Sequence, residues 1–183
     1  CLRIVSSASI LLMVFSCGDE QMDNPKQASL HDKKKLPDLS EAIQKRIENK
    51  PEEAIEILRK FNENFPDSPK ILTQLARSLI ENKQYSLAAF RFDQAVSINN
   101  SKDLLLESAQ AHELAGDLVT TEKRYKNYLE IVPEDKKTRL HLARILAQNG
   151  KDTDALNAFE QSADLTNAED CLLIGNLYLK KKI

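Results

Sequence analysis

From Pro69 to Ser101 the apolar positions follow a helical period twice over. Leu72, Leu75, Ala76 and Leu79 stand at i, i+3, i+4 and i+7, one stripe of an amphipathic helix. The polar run Glu81-Asn82-Lys83-Gln84 breaks the stripe, and Tyr85, Ala88, Ala89, Phe92, Ala95 and Val96 form a second one. Two such helices joined by a short turn leave apolar surface that only a neighbouring copy can cover.

Copies are present along the chain. Ala76 has counterparts at Ala42, Ala109 and Ala143 and, after a shorter step, at Gly175. Ala88 matches Ala54, Thr121 and Ala155, and Phe92 matches Leu58, Tyr125 and Phe159. From 58 to 92, 125 and 159 the steps are 34, 33 and 34 residues, and the turn formers Pro66, Asn100, Pro133 and Asn167 keep the same steps. Small residues recur where backbones must approach, and large ones where a gap must be filled. The pattern predicts hairpins at about 35–68, 69–101, 102–135 and 136–167, then a partial unit or capping helix at 168–183.

Local signals place the helix ends. Asp38 with Glu41 reads as a capping box opening the first helix, whose stripe of Leu39, Ala42, Ile43, Arg46 and Ile47 is thin. Pro51 and Pro69 suit first-turn positions, the latter behind Ser68 as N-cap. Gly116 is expected in a left-handed C-cap, with Asp117 capping the next helix. Thr121 and Tyr128 bring extra bulk, which either pushes their helix outward or fills a gap. In the last segment Cys171 is expected as a buried thiol and Gly175 at the small packing position.

A small residue late in the first helix, Ala and an aromatic in the second, and Pro at the end, repeated every 34 residues or so, resemble the tetratricopeptide repeat (TPR) family. The resemblance implies an all-α, right-handed α-solenoid over 37–183 that binds another protein or a peptide. It also implies an inner face lined by first-helix residues: Lys70, Thr73, Arg77 and Glu81, then Asp103, Leu106, Gln110 and Leu114, then Lys137, Leu140, Arg144 and Gln148. Arg77 and Arg144 are expected to reach acidic groups of a ligand, and Leu106, Leu114 and Leu140 an apolar side chain. Such a row suits an extended or helical peptide, and equally an ordinary solvated face. The carboxylate clamp of some TPR domains is not expected: Thr73, Arg77, Glu107 and His141 occupy four of its slots, and only Lys137 fits.

Ahead of the repeats, Ile4 to Phe15 is an apolar run of 12 residues broken only by Ser6, Ser7 and Ser9. That is short for a bilayer span and right for a secretory leader. Val14-Phe15-Ser16-Cys17 resembles the lipobox of bacterial lipoproteins. This implies a signal peptide over 1–16, cleavage before Cys17, acylation of Cys17 on sulfur and amino group, and anchorage at a bacterial membrane, the outer membrane favoured. An ordinary leader with Cys17 incidental, or a plain transmembrane anchor, is the alternative. Residues 17–36 are polar and read as a tether, in which His31 is a bystander and the clusters Asp19, Glu20, Asp23 and Lys33, Lys34, Lys35 are solvated, a sorting signal or a contact with lipid headgroups. The start at Cys1 and the stop at Lys180-Lys181-Lys182-Ile183 read as truncations.

Composition narrows the function further. Charged residues make up 30% and nearly cancel, leaving a net charge of −2, so nothing points to nucleic acid. The three Cys and three His have no metal-ligand spacing, and no phosphate loop or nucleophile motif occurs. His112 and Glu113 are adjacent on a helix and point apart. The expectation is no enzyme, no cofactor, no metal and no small-molecule substrate, but a membrane-anchored scaffold for protein partners in the cell envelope. The alternatives are an accessory module of an envelope enzyme and a self-associating structural component.

Overall fold

The computed structural model describes residues 35–162 and 167–181. The expected leader, the Cys17 anchor, His31 and the tether as far as residue 34 lie outside the described residues. Within the unit Leu36–Ile183 the described residues form nine helices and no strand. These are α1 (Ser40–Ile47), α2 (Pro51–Asn64), α3 (Pro69–Glu81), α4 (Tyr85–Ile98), α5 (Lys102–Ala115), α6 (Leu118–Ile131), α7 (Lys136–Gln148), α8 (Asp152–Ser162) and α9 (Ala168–Lys181).

The core runs across hairpin boundaries as well as between the two helices of each hairpin. Leu39, Ala42, Ile55 and Leu58 pack with Ile71, Leu75, Leu79 and Ala88 of the next hairpin. Leu72, Ala76, Ala89 and Phe92 then join Leu104, Leu105, Ala111 and Tyr128. Ala109 and Tyr125 join Leu142, Ala143, Ala155, Phe159 and Leu177. Ala54, Ala88, Thr121 and Ala155 are all fully buried, as are Leu58 and Phe92. The extra bulk of the third hairpin fills space. Thr121 is buried with its Oγ1 donating to the Asp117 carbonyl at 2.7 Å, and Tyr128 enters the core while its hydroxyl reaches Asp135 at 2.9 Å.

Each hairpin turns through one left-handed residue: Asn49 (φ 58°), Lys83 (φ 58°), Gly116 (φ 78°) and Gly150 (φ 73°). Their own amides bond back three residues and the following amides bond back five, as with Lys83 to Ile80 and Gln84 to Leu79. Glycine was foreseen at Gly116, but the equivalent strain at Asn49 and Lys83 was not. A left-handed Lys costs about 1–2 kcal/mol, part of which glycine returns as unfolded-chain entropy. Lys83→Gly is therefore expected to stabilise the protein by about 1 kcal/mol, raising the midpoint of a thermal melt by roughly 3 °C. An unchanged or lower midpoint would contradict this.

Helix starts follow the sequence signals in part. Ser101, Asp117 and Asp135 accept from Leu104, Thr120 and Thr138 amides at 3.4, 3.1 and 3.0 Å. Ser68 occupies the N-cap before Pro69, but its side chain makes no capping bond. The expected Asp38–Glu41 box does not form. Asp38 instead accepts from the amide and hydroxyl of Ser40, so the helix begins there.

The last helix departs from expectation. Its buried stripe runs through Asp170 and Leu177, with Leu173 and Ile174 packed against the core. Cys171 lies off that stripe and is exposed, not buried. Gly175 is also exposed, and a Cβ there would meet nothing within 4 Å. The equivalent Ala76 and Ala143 share a core with the second helix of their own hairpins, whereas no helix follows α9 among the described residues. Gly175 therefore has no packing role here.

Candidate functional site

The first helices α1, α3, α5, α7 and α9 form a row, and three of its four steps are bridged by an arginine and a carboxylate. Arg46 forks onto Glu81 at 3.0 and 3.1 Å through Nε and donates to Gln74 at 2.8 Å. Arg77 binds Glu107 through Nε at 2.6 Å and Nη2 at 2.7 Å. Arg144 binds Asp170 through the same two atoms at 2.8 and 2.7 Å. Two-pronged pairs of this kind fix orientation as well as adding energy. The Asp170 side chain is 3% exposed, and the hydrogen bond from Arg144 holds its carboxyl below the usual range.

These pairs change the reading of the face. Arg77 and Arg144 were expected to meet acidic groups of a ligand; their guanidinium groups already hold carboxylates of the next helix. Glu81 is likewise engaged. Thr73 is buried at 9% exposure and, with Lys70, lines an open recess of about 380 Å³ that Pro69, Gln74, Asn99, Ser101 and Leu104 complete. Lys70, Asp103, Gln110, Lys137 and Gln148 are exposed, and Leu114 is half exposed. Leu106 and Leu140 are partly buried, resting on the core.

The α5–α7 step is built differently. Gln110 holds the place that Arg77 and Arg144 hold in their hairpins, and His141 stands where Glu107 stands one repeat earlier. His141 stacks on Tyr125 with ring centroids 6.2 Å apart. Leu106, Gln110 and Leu140, with Asp103 and Lys137 on the same two helices, thus interrupt the ladder of ion pairs, and Leu114 near the end of α5 lines a recess with residues 83–87 of the α3–α4 turn and the start of α4.

Comparison with known proteins fits this architecture. The tetratricopeptide repeat family matches residues 39–68. No curated protein matches the sequence. Among solved structures, YrrB, described as a TPR protein with an unusual peptide-binding site, superposes with a TM-score of 0.69 at 18% identity, covering 79% of this chain and 76% of its own. MamA from Desulfovibrio magneticus RS-1 gives 0.68 at 15% identity over 81% of this chain and 88% of its own. Another MamA structure gives 0.68 at 14% identity over 77% and 84%. This chain folds as a TPR solenoid.

One polar cluster inside the TPR stack was not foreseen. Asp93 of α4 accepts from Ser108 Oγ at 3.1 Å and from Arg124 Nη2 at 2.7 Å, and meets His112 Nε2 at 3.0 Å. The other ring nitrogen of His112 faces Asp117 at 3.2 Å. Burial opposes ionisation of Asp93, but the bonds from His112 and Arg124 outweigh it and hold the carboxyl at about 2. Serine, histidine and aspartate meet here, but the hydroxyl sits on the carboxylate and both imidazole nitrogens face carboxylates. The nucleophile–base contact that hydrolysis needs is missing. The cluster instead ties α4 to α5 and α6. Among the described residues no group of His, Cys, Asp or Glu side chains could hold a metal.

Proposed function

We propose that this protein is a scaffold that binds a peptide segment of another protein along its first helices, centred on the α5–α7 step, and is held at a bacterial membrane by acyl chains on Cys17. The observation behind the groove is the broken ion-pair ladder: among the described residues of the row, Gln110 offers an amide beside apolar side chains where the equivalent Arg77 and Arg144 are held in ion pairs. Engaged arginines would have to lose a carboxylate before binding a ligand, whereas Leu106, Leu114 and Leu140 lose only water. Gln110 can both donate to and accept from a peptide backbone. No described helix is long and apolar enough to cross a membrane, and the anchor reading rests on the lipobox-like run ending at Cys17. Several acyl chains on one residue give firm attachment, at roughly 0.8 kcal/mol per buried CH₂. Anchoring concentrates the groove near its partners, so a modest affinity suffices.

The test places a photo-crosslinking residue at Leu114 in cells, with Val119 on α6, 76% exposed, as the control position. Leu114 is expected to capture a defined protein that Val119 does not. Gln110→Arg should cut capture roughly tenfold, because it replaces an amide that both donates and accepts with a cation that only donates. Cys17→Ser should move the protein from the membrane to the soluble fraction. Capture from Val119 alone would refute the groove, and membrane retention of Cys17→Ser would refute the anchor.

A further inference from the structure

α9 carries apolar side chains on two of its sides. One packs on the core through Leu173, Ile174 and Leu177. On the opposite side Leu172, Gly175, Asn176 and Leu179 stand at i, i+3, i+4 and i+7, all exposed, Leu172 at 68% and Leu179 at 64%. A stripe of this spacing on a helix already docked by its other side marks an interaction surface.

We propose that this stripe pairs with the same stripe of a second copy of the chain, α9 against α9, antiparallel about a two-fold axis near Gly175 and Asn176. Three features select that occupant. First, Leu172 and Leu179 lie equally far from the midpoint, so an antiparallel copy sets each Leu172 against the other chain's Leu179. Second, the centre is open: a Cβ on Gly175 would meet nothing within 4 Å, which lets two backbones approach closely. Third, the charges are self-complementary. Glu169 and Asp170 lie in the first turn and Lys180 and Lys181 in the last. Glu169 and Lys180 flank the stripe on the same side, so the antiparallel arrangement brings each Glu169 towards the second copy's Lys180. A parallel arrangement would set like charges together. Lys180 is only loosely held in the single chain, 3.6 Å from Asp152 with its side chain 64% exposed. The interface uses the same patch on both copies and closes as a dimer, and its single helix pair makes it weak.

Sedimentation equilibrium of the full chain, from about 1 µM to about 500 µM, spans the affinity of so small an interface. The average mass is expected to rise from one chain towards two. Gly175→Leu should stay monomeric throughout, with an unchanged or higher melting midpoint, because a Cβ there meets nothing within 4 Å in the single chain and leucine favours helix more than glycine. Glu169→Lys should raise the dimer dissociation constant by roughly tenfold, as two pairs become repulsive. Adding Lys180→Glu should restore it to within about twofold, since the pairs re-form with signs exchanged. A chain monomeric at the highest concentration, a Gly175→Leu variant that dimerises like the parent, or a charge exchange that fails to restore pairing would each overturn the proposal. Gln110→Arg should leave the dimer intact, so the groove and this surface stand or fall separately.

Discussion

Phe92→Ala is expected to lower the stability of the solenoid by about 4 kcal/mol, more than any other single truncation in the described core. Phe92 is fully buried and shares its cluster with Leu72 and Ala76 of α3, Leu104 and Leu105 of α5, and Tyr128 of α6. The ring therefore joins the second hairpin to the third as well as closing its own. In a stack where stability is the sum of units and nearest-neighbour interfaces, a hole at a central interface uncouples the two sides. Two results follow for urea unfolding watched by circular dichroism. The midpoint falls, and the transition broadens or splits as the halves unfold separately, with a smaller slope for each. The same cut at Leu58 in the first hairpin should cost about 3 kcal/mol and fray one end without splitting the transition. A loss below about 1 kcal/mol at Phe92 would mean that neighbouring side chains collapse into the space and that the interface is not what holds the stack together.

The residues that make this prediction possible were legible because they obey a period. A small side chain at Ala42, Ala76, Ala109 and Ala143 and a bulky one at Leu58, Phe92, Tyr125 and Phe159 are each forced by local packing, and they recur whenever the same packing recurs. The turns were half legible: glycine announces the left-handed residue at Gly116 and Asn49 is a residue type that tolerates that conformation, but Lys83 adopts it with no mark in the residue type. The polar bridges could not be found by periodicity. Arg46 meets a carboxylate 35 positions on, Arg77 one 30 on and Arg144 one 26 on. Long flexible side chains reach whichever acid the stack brings near, so no fixed spacing encodes them. His112 failed for a related reason. Its partners Asp93 and Asp117 come from α4 and from the turn beyond α5, while the one acid beside it in sequence, Glu113, binds Tyr125 instead. At α9 the repeat logic overreached: a small residue matters only where a second helix presses on it.

Glu122→Ala is expected to cost about 2 kcal/mol at neutral pH, with a distinctive dependence on acid. Glu122 is 6% exposed on α6. It accepts from Lys126 at 2.7 Å, from Lys151 Nζ at 2.7 and 2.8 Å, and from Asn149 at 3.0 Å, so it ties the third hairpin to the turn of the fourth. Removing it strands two ammonium groups, though both lysine side chains are about half exposed and water takes back part of the loss. Burial alone would raise the carboxyl; the bonds from Lys126, Lys151 and Asn149 outweigh it and hold it at about 2, against an ordinary 4.5. A carboxyl lower in the folded than in the unfolded chain stabilises fully above about 4.5, and that contribution fades as the pH falls towards 2. The gap in melting temperature between parent and Glu122→Ala should therefore be constant from neutral pH down to about 5 and should close as the pH is lowered towards 2. Glu122→Gln separates charge from hydrogen bonding, since its amide oxygen still accepts while the ion pairs are gone; it should lose less at neutral pH and show the same closing gap. A gap that stays constant through the acid range would show that Glu122 acts by filling space and not by its charge.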